Sequence, residues 1–474
     1  MKHFYTSMAF FFMAMSFGHA QISFNLVTGT TLTPVFDGAV AFADIDGDND
    51  QDVLISGLSS GVRMTELFVN DGNGNYTLVA GTPFVGLQTS GIAFADIDGD
   101  NDQDVLITGF SATGASTKLY TNNGAGVFTE AANSGIGVSF NGGMAFADVD
   151  GDTDMDVVIS GINGNTRLLK LYLNNGSGVF DLSPNGTLAG VYFGSLNFAD
   201  VDGDGDQDFL VTGLDVTNTL VSRLYTNNGT GIFSLVTGTP FVGVYQSSSA
   251  FADIDGDNDI DVLITGNIDG SGGYASKIYT NNGSGTFSEA ASQPFPIASQ
   301  SAVAFADVDN DGDQDVFISG FTVANARISK LYKNNGNGQF SEVAGTPFVG
   351  VSNSALALAD IDGDTDVDVL ITGIVSTSEA FSAKLYKNES VLGTLEFSSD
   401  TQISFHPNPS TDIITFQNIM EKSHLEIYDI TGKKVFSRVI DANDNQLKLD
   451  FLSEGIYILK INSVYAGKLV KSKR

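Results

Sequence analysis

Aspartate occupies alternate positions in the stretch ADIDGDNDQDVLISG, Ala43 to Gly57: Asp44, Asp46, Asp48, Asp50 and Asp52 fall within nine residues. In a water-like dielectric each repelling pair costs about 0.5 kcal/mol, so the ten pairs of one loop cost on the order of 5 kcal/mol before screening. Something must offset that. Oxygen donors at positions 1, 3, 5, 7 and 9 are the ligand pattern of a calcium loop, position 7 acting through its backbone carbonyl. Hard carboxylate oxygens without His or Cys select Ca2+ over transition metals, and Mg2+ would keep more of its water. The competing reading is a solvated acidic turn without metal.

The cluster recurs six more times. Asp96, Asp98, Asp100, Asp102 and Asp104 form the second copy; Asp148, Asp150, Asp152, Asp154 and Asp156 form the third. The fourth holds Asp200, Asp202, Asp204, Asp206 and Asp208, and the fifth Asp253, Asp255, Asp257, Asp259 and Asp261. Asp307, Asp309, Asp311, Asp313 and Asp315 make the sixth, and Asp360, Asp362, Asp364, Asp366 and Asp368 the seventh. A helical calcium loop needs an acidic bidentate ligand at position 12, but Ile55, Ile107, Ile159, Val211, Ile264, Ile318 and Ile371 stand there. Each loop is therefore expected to join two strands, not two helices.

The elements that must hold these loops repeat with steps of 52 to 54 residues. In the second unit the apolar stretches are GIAFAD, DVLITG, TKLYTN and GVFTEA, bounded by Gly, Asn or Asp in the manner of short strands. Asn122-Asn123-Gly124 between the third and fourth stretch is a hairpin signal. About 50 residues without a disulfide rarely fold alone, whereas a radial β-propeller of four-stranded blades has this period. The expected fold is all-β: a seven-bladed β-propeller of four-stranded antiparallel blades. The last unit lacks its fourth strand after LYKNES, and FNLVTGT from Phe24 matches FSLVTGT from Phe233. The N-terminal strand is expected to close the last blade.

With this loop followed by LYxNNGxGxF, the chain resembles the bacterial VCBS or FG-GAP-like repeat, related to the propeller of integrin α subunits. The resemblance covers about Gln21 to Asn388 and implies a calcium-binding propeller with up to seven structural Ca2+ ions. Carried over by position, the ligands of the first unit are Asp44, Asp46, Asp48 and Asp52 by side chain and Asp50 by carbonyl. The sixth unit departs locally, with Asn310 at position 4 and Gly312 at position 6. Thr153 and Thr365 occupy position 6 of their loops, where a left-handed turn would be strained.

Composition narrows the function. Formal net charge is −34, so binding to nucleic acid is disfavoured. Cysteine is absent and the four histidines are His3, His19, His406 and His424, which leaves the repeats without Ser-His-Asp, Cys-His or zinc-water chemistry. The N-terminal MKHFYTSMAFFFMAMSFGHA reads as a secretory signal peptide, residues 1–20, and nothing else approaches a membrane span. Length varies between the second and third strands, so a ligand is expected there, with Arg63, Arg167, Tyr274 and Arg327 as contacts. A linker over 389–401 leads to residues 402–474, which alternate as strands of a small β-sandwich. PNPSTD, IYDITGKKV, LSEGIYILKI and the basic end resemble the type A sorting domain of the Bacteroidetes type IX secretion system, implying that secretion machinery as a partner. The expected function is a secreted or cell-surface calcium-binding module for adhesion to an extracellular glycan or protein, not an enzyme. The alternative is a glycosidase or polysaccharide lyase on a propeller scaffold.

Overall fold

The computed structural model describes residues 22–390 apart from 185–187, 292 and 376–379, and residues 404–473 apart from 418, 420–421, 430–432 and 462–463. The export signal expected at 1–20 and most of the linker lie outside the described residues. Those residues are all-β, without a helix, and hence none long and apolar enough to cross a membrane. They fall into two compact units, within 19–392 and 393–474.

In the larger unit each 52–54-residue repeat forms antiparallel strands around its acidic loop. Repeat 1 runs Phe36–Ala43, Asp52–Ser59, Val62–Val69 and Thr77–Leu78, in that spatial order. Repeats 2, 5 and 6 follow the same pattern. In repeat 7 the fourth place is taken from the far end of the chain: Phe24–Leu26 pairs with Phe381–Asn388, Phe24 opposite Asn388 and Leu26 opposite Tyr386.

Repeats 3 and 4 differ from the expectation of separate sheets, because they join into one nine-stranded sheet. The join is Val191–Tyr192, which pairs with Leu168 of repeat 3 and with Leu214 and Asp215 of repeat 4. The same bridge occurs as a single contact at Met64–Leu87, Val221–Val244 and Ile328–Val351, and as Val35–Ser382 between repeats 1 and 7. Repeat 4 merely lengthens a tie that other neighbours make.

The apolar cores lie between repeats. Leu54 packs with Leu87, Val105 and Tyr120 of repeat 2, while Val53 and Ile55 on its opposite face pack with Leu370 and Leu385 of repeat 7. This explains why DVLISG is apolar at consecutive positions: the second strand is buried on both faces, each Leu or Ile contributing about 1.5–3 kcal/mol. The first strands pack side by side in chain order, and Ser352–Ala359 of repeat 7 packs against Phe36–Ala43 of repeat 1.

In the smaller unit a three-stranded sheet, Ser404–His406, Ile413–Gln417 and Gln446–Lys448, shares one core with a four-stranded sheet. Ile414 and Phe416 from the first meet Leu425, Ile427 and Leu459 from the second.

Candidate metal centres

Each acidic loop begins where the first strand stops at an alanine and ends where the second strand starts at its ninth-position aspartate. In repeat 1 the first aspartate folds the loop over itself: Asp44 Oδ1 accepts the Gly47 N–H at 2.8 Å and Oδ2 the Asn49 N–H at 3.0 Å. Asp48 Oδ1 accepts the Asp50 N–H at 3.0 Å. Asp52, at 2% exposure, takes the Ile45 N–H on Oδ2 (3.2 Å) and the Asn70 N–H on Oδ1 (2.8 Å). Corresponding bonds recur in other repeats, including Asp104 with Ile97 and Asn122 and Asp368 with Ile361 and Asn388. Thr153 and Thr365 do take the left-handed backbone, at φ 77° and 75°, and keep the position-6 N–H on the first aspartate.

The third position behaves differently. Asp98, Asp150, Asp202, Asp255, Asp309 and Asp362 each bury an Oδ1 that has no hydrogen-bond partner. A carboxylate oxygen only accepts, so neighbouring carboxylates cannot satisfy it, whereas a cation can. In repeats 2 to 5 one oxygen each from positions 1, 3 and 9 lies within 4.8 Å of the others, as do those of Asp44, Asp46 and Asp48 in repeat 1. Burial, then the neighbouring charges of positions 5 and 1, pushes Asp98 up. Burial also pushes the ninth-position groups up, Asp52 and Asp104 to about 6 and Asp261 and Asp368 to about 7. Buried, converging, acceptor-only oxygens fit a hard divalent cation.

The seventh position faces the hairpin. A Cβ placed on Gly72 would come within 2.7 Å of Asp50 Oδ2, and Gly124 meets Asp102 in the same way at 2.6 Å. These side chains lie beside the hairpin glycine of their own repeat.

Two loops carry their own cation. Lys333 Nζ pairs with Asp309 and, at 2.9 Å, with Asp311; Lys387 Nζ pairs with Asp362 at 2.9 Å. Val69, Thr121, Leu173, Thr226 and Thr280 hold the equivalent place in repeats 1 to 5. Sequence reasoning passed over these lysines although the alignment of repeats displays them.

It also missed the first asparagine of NNG. Asn122 Nδ2 donates to Ile45 O of the preceding repeat at 2.7 Å, and Asn174, Asn227, Asn281, Asn334 and Asn388 each reach back to the preceding loop likewise. Asn70 of repeat 1 donates to Ile361 O of repeat 7 at 2.8 Å. The signal was present: Asn388 keeps its place in NES, where no hairpin follows.

The arginines expected to contact a ligand between strands 2 and 3 instead join neighbours. Arg63 lies over the Phe110 ring, Arg167 over Tyr192, and Arg327 over Phe321 while its Nε donates to Ser352 Oγ. Tyr274 lines a separate cavity of about 410 Å³ with Lys277 and Glu289.

The FG-GAP-like repeat family matches this chain at residues 44–107, 148–211, 200–264 and 253–318. Over those residues the chain carries four FG-GAP-like repeats. Residues 404–472 match the secretion system C-terminal sorting domain, which marks the protein as one secreted, or held at the outer cell surface, by the type IX route. Among solved structures it is similar to the fucose-specific lectin from Aleuria aurantia (11% identity, 66% of this chain and 96% of that one, TM-score 0.41). It is also similar to AofleA from Arthrobotrys oligospora (14%, 69% and 91%, TM-score 0.38) and to sucrose-6-phosphate hydrolase from Lactobacillus gasseri (12%, 70% and 86%, TM-score 0.30). No curated protein matches its sequence.

Proposed function

We propose that this protein is a secreted, Ca2+-stabilised seven-bladed propeller that serves as a binding module for an extracellular glycan or protein, with a small C-terminal β-sandwich for export. The observation that carries the metal reading is the set of buried third-position oxygens without a partner. In each loop the carboxylates of positions 1, 3, 5 and 9 would hold the ion, and the ion would supply charge neutralisation, not an activated water. At a dissociation constant near 10⁻⁵ M, millimolar Ca2+ stabilises by about 2.7 kcal/mol per site. The seven-bladed reading is supported by first strands that pack in chain order and return to the start, and by the shared cores between repeats.

Binding is favoured over catalysis because the repeats contain no His or Cys and their dense carboxylate clusters are taken up by the loops. Thermal unfolding of the mature protein in EDTA and in millimolar Ca2+ tests the metal reading. A higher melting temperature in Ca2+, by ten degrees or more in order of magnitude for several sites, is expected. Superimposable curves with no ion bound would remove the reading.

A further inference from the structure

At the end of each first strand remote from its acidic loop, one residue that is not glycine adopts a left-handed backbone. The seven are Asp37, Thr89, Asn141, Phe193, Gln246, Gln300 and Asn353, with φ between 46° and 62°. Each stands seven residues before the first aspartate of its motif (44 − 37, 96 − 89 and so on). In repeats 1, 2, 5, 6 and 7 the pairing of the first and second strands slips at this point, the mark of a β-bulge. An L-residue in this conformation costs about 1–2 kcal/mol, and for branched or bulky side chains such as Thr89 and Phe193 it is a true outlier. Glycine would remove that cost. The chain uses glycine at the very next position in three repeats, Gly38, Gly142 and Gly194, yet never at the strained one.

All seven strained residues line one cavity of about 450 Å³, where the seven first strands meet, about 20 Å along the strands from the acidic loops. The hydroxyls that follow them are used internally: Ser90 Oγ meets Ser56 Oγ at 2.7 Å, and Ser247, Ser301 and Ser354 meet Thr212, Thr265 and Ser319 at 2.8 Å. The amides of Asn141, Gln246, Gln300 and Asn353 have no protein hydrogen-bond partner among the described residues. Asp37 is the one charged side chain in the lining, and Phe193 the one aromatic.

We propose that this cavity is the ligand site of the module and that it takes an uncharged carbohydrate, the terminal part of a neutral glycan. Side-chain amides offer two donors and an acceptor each, the match for vicinal hydroxyls that both donate and accept. The carboxylate of Asp37 accepts from a further pair of hydroxyls, and the Phe193 ring offers a face for the C–H side of a sugar ring. A cavity of this size, lined mainly by convergent polar groups, has the dimensions of small-molecule sites. The single negative charge, in a protein of net charge −34, works against sulfated or uronic-acid glycans. Strain retained around a pocket is a recurrent property of functional sites. This assignment rests on the reading of the protein as a binding module and places the site among the first strands instead of on the loops between strands 2 and 3.

The test uses the full mature protein on an array holding neutral, sulfated and uronic-acid glycans, beside the variants Gln246→Gly and Gln300→Gly. The expected result is neutral-glycan binding by the wild type, weakened about tenfold or more in each variant, the loss that one or two hydrogen bonds produce. Melting temperatures of the variants should be unchanged or raised, since glycine relaxes the bulge. A fall in melting temperature in both variants would make these side chains structural props and overturn the proposal. Undiminished neutral-glycan binding in both would overturn the pocket while sparing the binding module. A wild-type protein that retains no glycan and no envelope protein would overturn the module reading as well.

Discussion

Asparagine, more than aspartate, is the residue on which neighbouring repeats depend. Asn122 takes its own backbone N–H to Asp104, accepts the Asn123 N–H, and donates its amide to Ile45 O of the preceding repeat. It is buried, at 7% exposure, so none of these groups has water as an alternative partner. Replacement by alanine leaves Ile45 O with the Gly126 N–H alone and takes the acceptor from the part-buried Asn123 N–H, a loss of about 1–3 kcal/mol together. Asn122→Ala is therefore expected to lower unfolding free energy by about 1–3 kcal/mol in urea titration, with calcium held constant. Asn123→Ala, one residue on and more exposed, should cost less. Equal losses would show that the bond to the neighbouring repeat contributes nothing.

Among the elements, the acidic loops divide into two kinds. Repeats 1 to 5 place Val, Thr or Leu beside the cluster, whereas repeats 6 and 7 place Lys333 and Lys387 there with the ammonium on the third-position carboxylate. An ammonium and a divalent cation compete for the same carboxylates, so these two loops should bind Ca2+ more weakly than the other five. Calorimetric titration should resolve two affinity classes, and Lys333→Thr with Lys387→Thr should merge them. A single class in the unmodified protein would contradict this. The aspartates and the strands flanking them were legible because their chemistry and spacing repeat; so was the closing strand, because Phe24 begins a copy of the sequence at Phe233. The strained residues were not. Asp37, Phe193 and Gln300 share no chemistry, and a bulge is set by how two strands fall into register, which residue type alone does not encode. The joined sheet at Val191 escaped for a related reason, since it differs from its counterparts only by one further residue of pairing.

For the larger unit as a whole, the contacts that link repeat 7 to repeat 1 are of the same kinds as those inside the series. They comprise the Asn70–Ile361 bond, the Val35–Ser382 bridge and the core that holds Val53 with Leu385. Phe24–Leu26 adds a strand to repeat 7 that every other repeat supplies for itself. Phe24 is 6% exposed and packs against Phe317 and Phe348 with ring centroids at 5.8 and 5.0 Å. Removing residues 22–27 should expose the edge of Phe381–Asn388 and the apolar surface beneath it. The shortened protein is expected to melt at least several degrees lower and to self-associate, as light scattering would report, because a bare strand edge pairs with other chains. A monomer of unchanged melting temperature would mean that the strand is ornamental.

That borrowed strand also sets an order in time. A chain made or exported from its N-terminus presents Phe24–Leu26 first and Phe381–Asn388 some 360 residues later. Closure is the most distant contact in the unit, and distant contacts are slow to form. Until the last repeat arrives, the first few residues wait as an unpaired sticky end, which is when such a molecule is most exposed to mispairing with another copy.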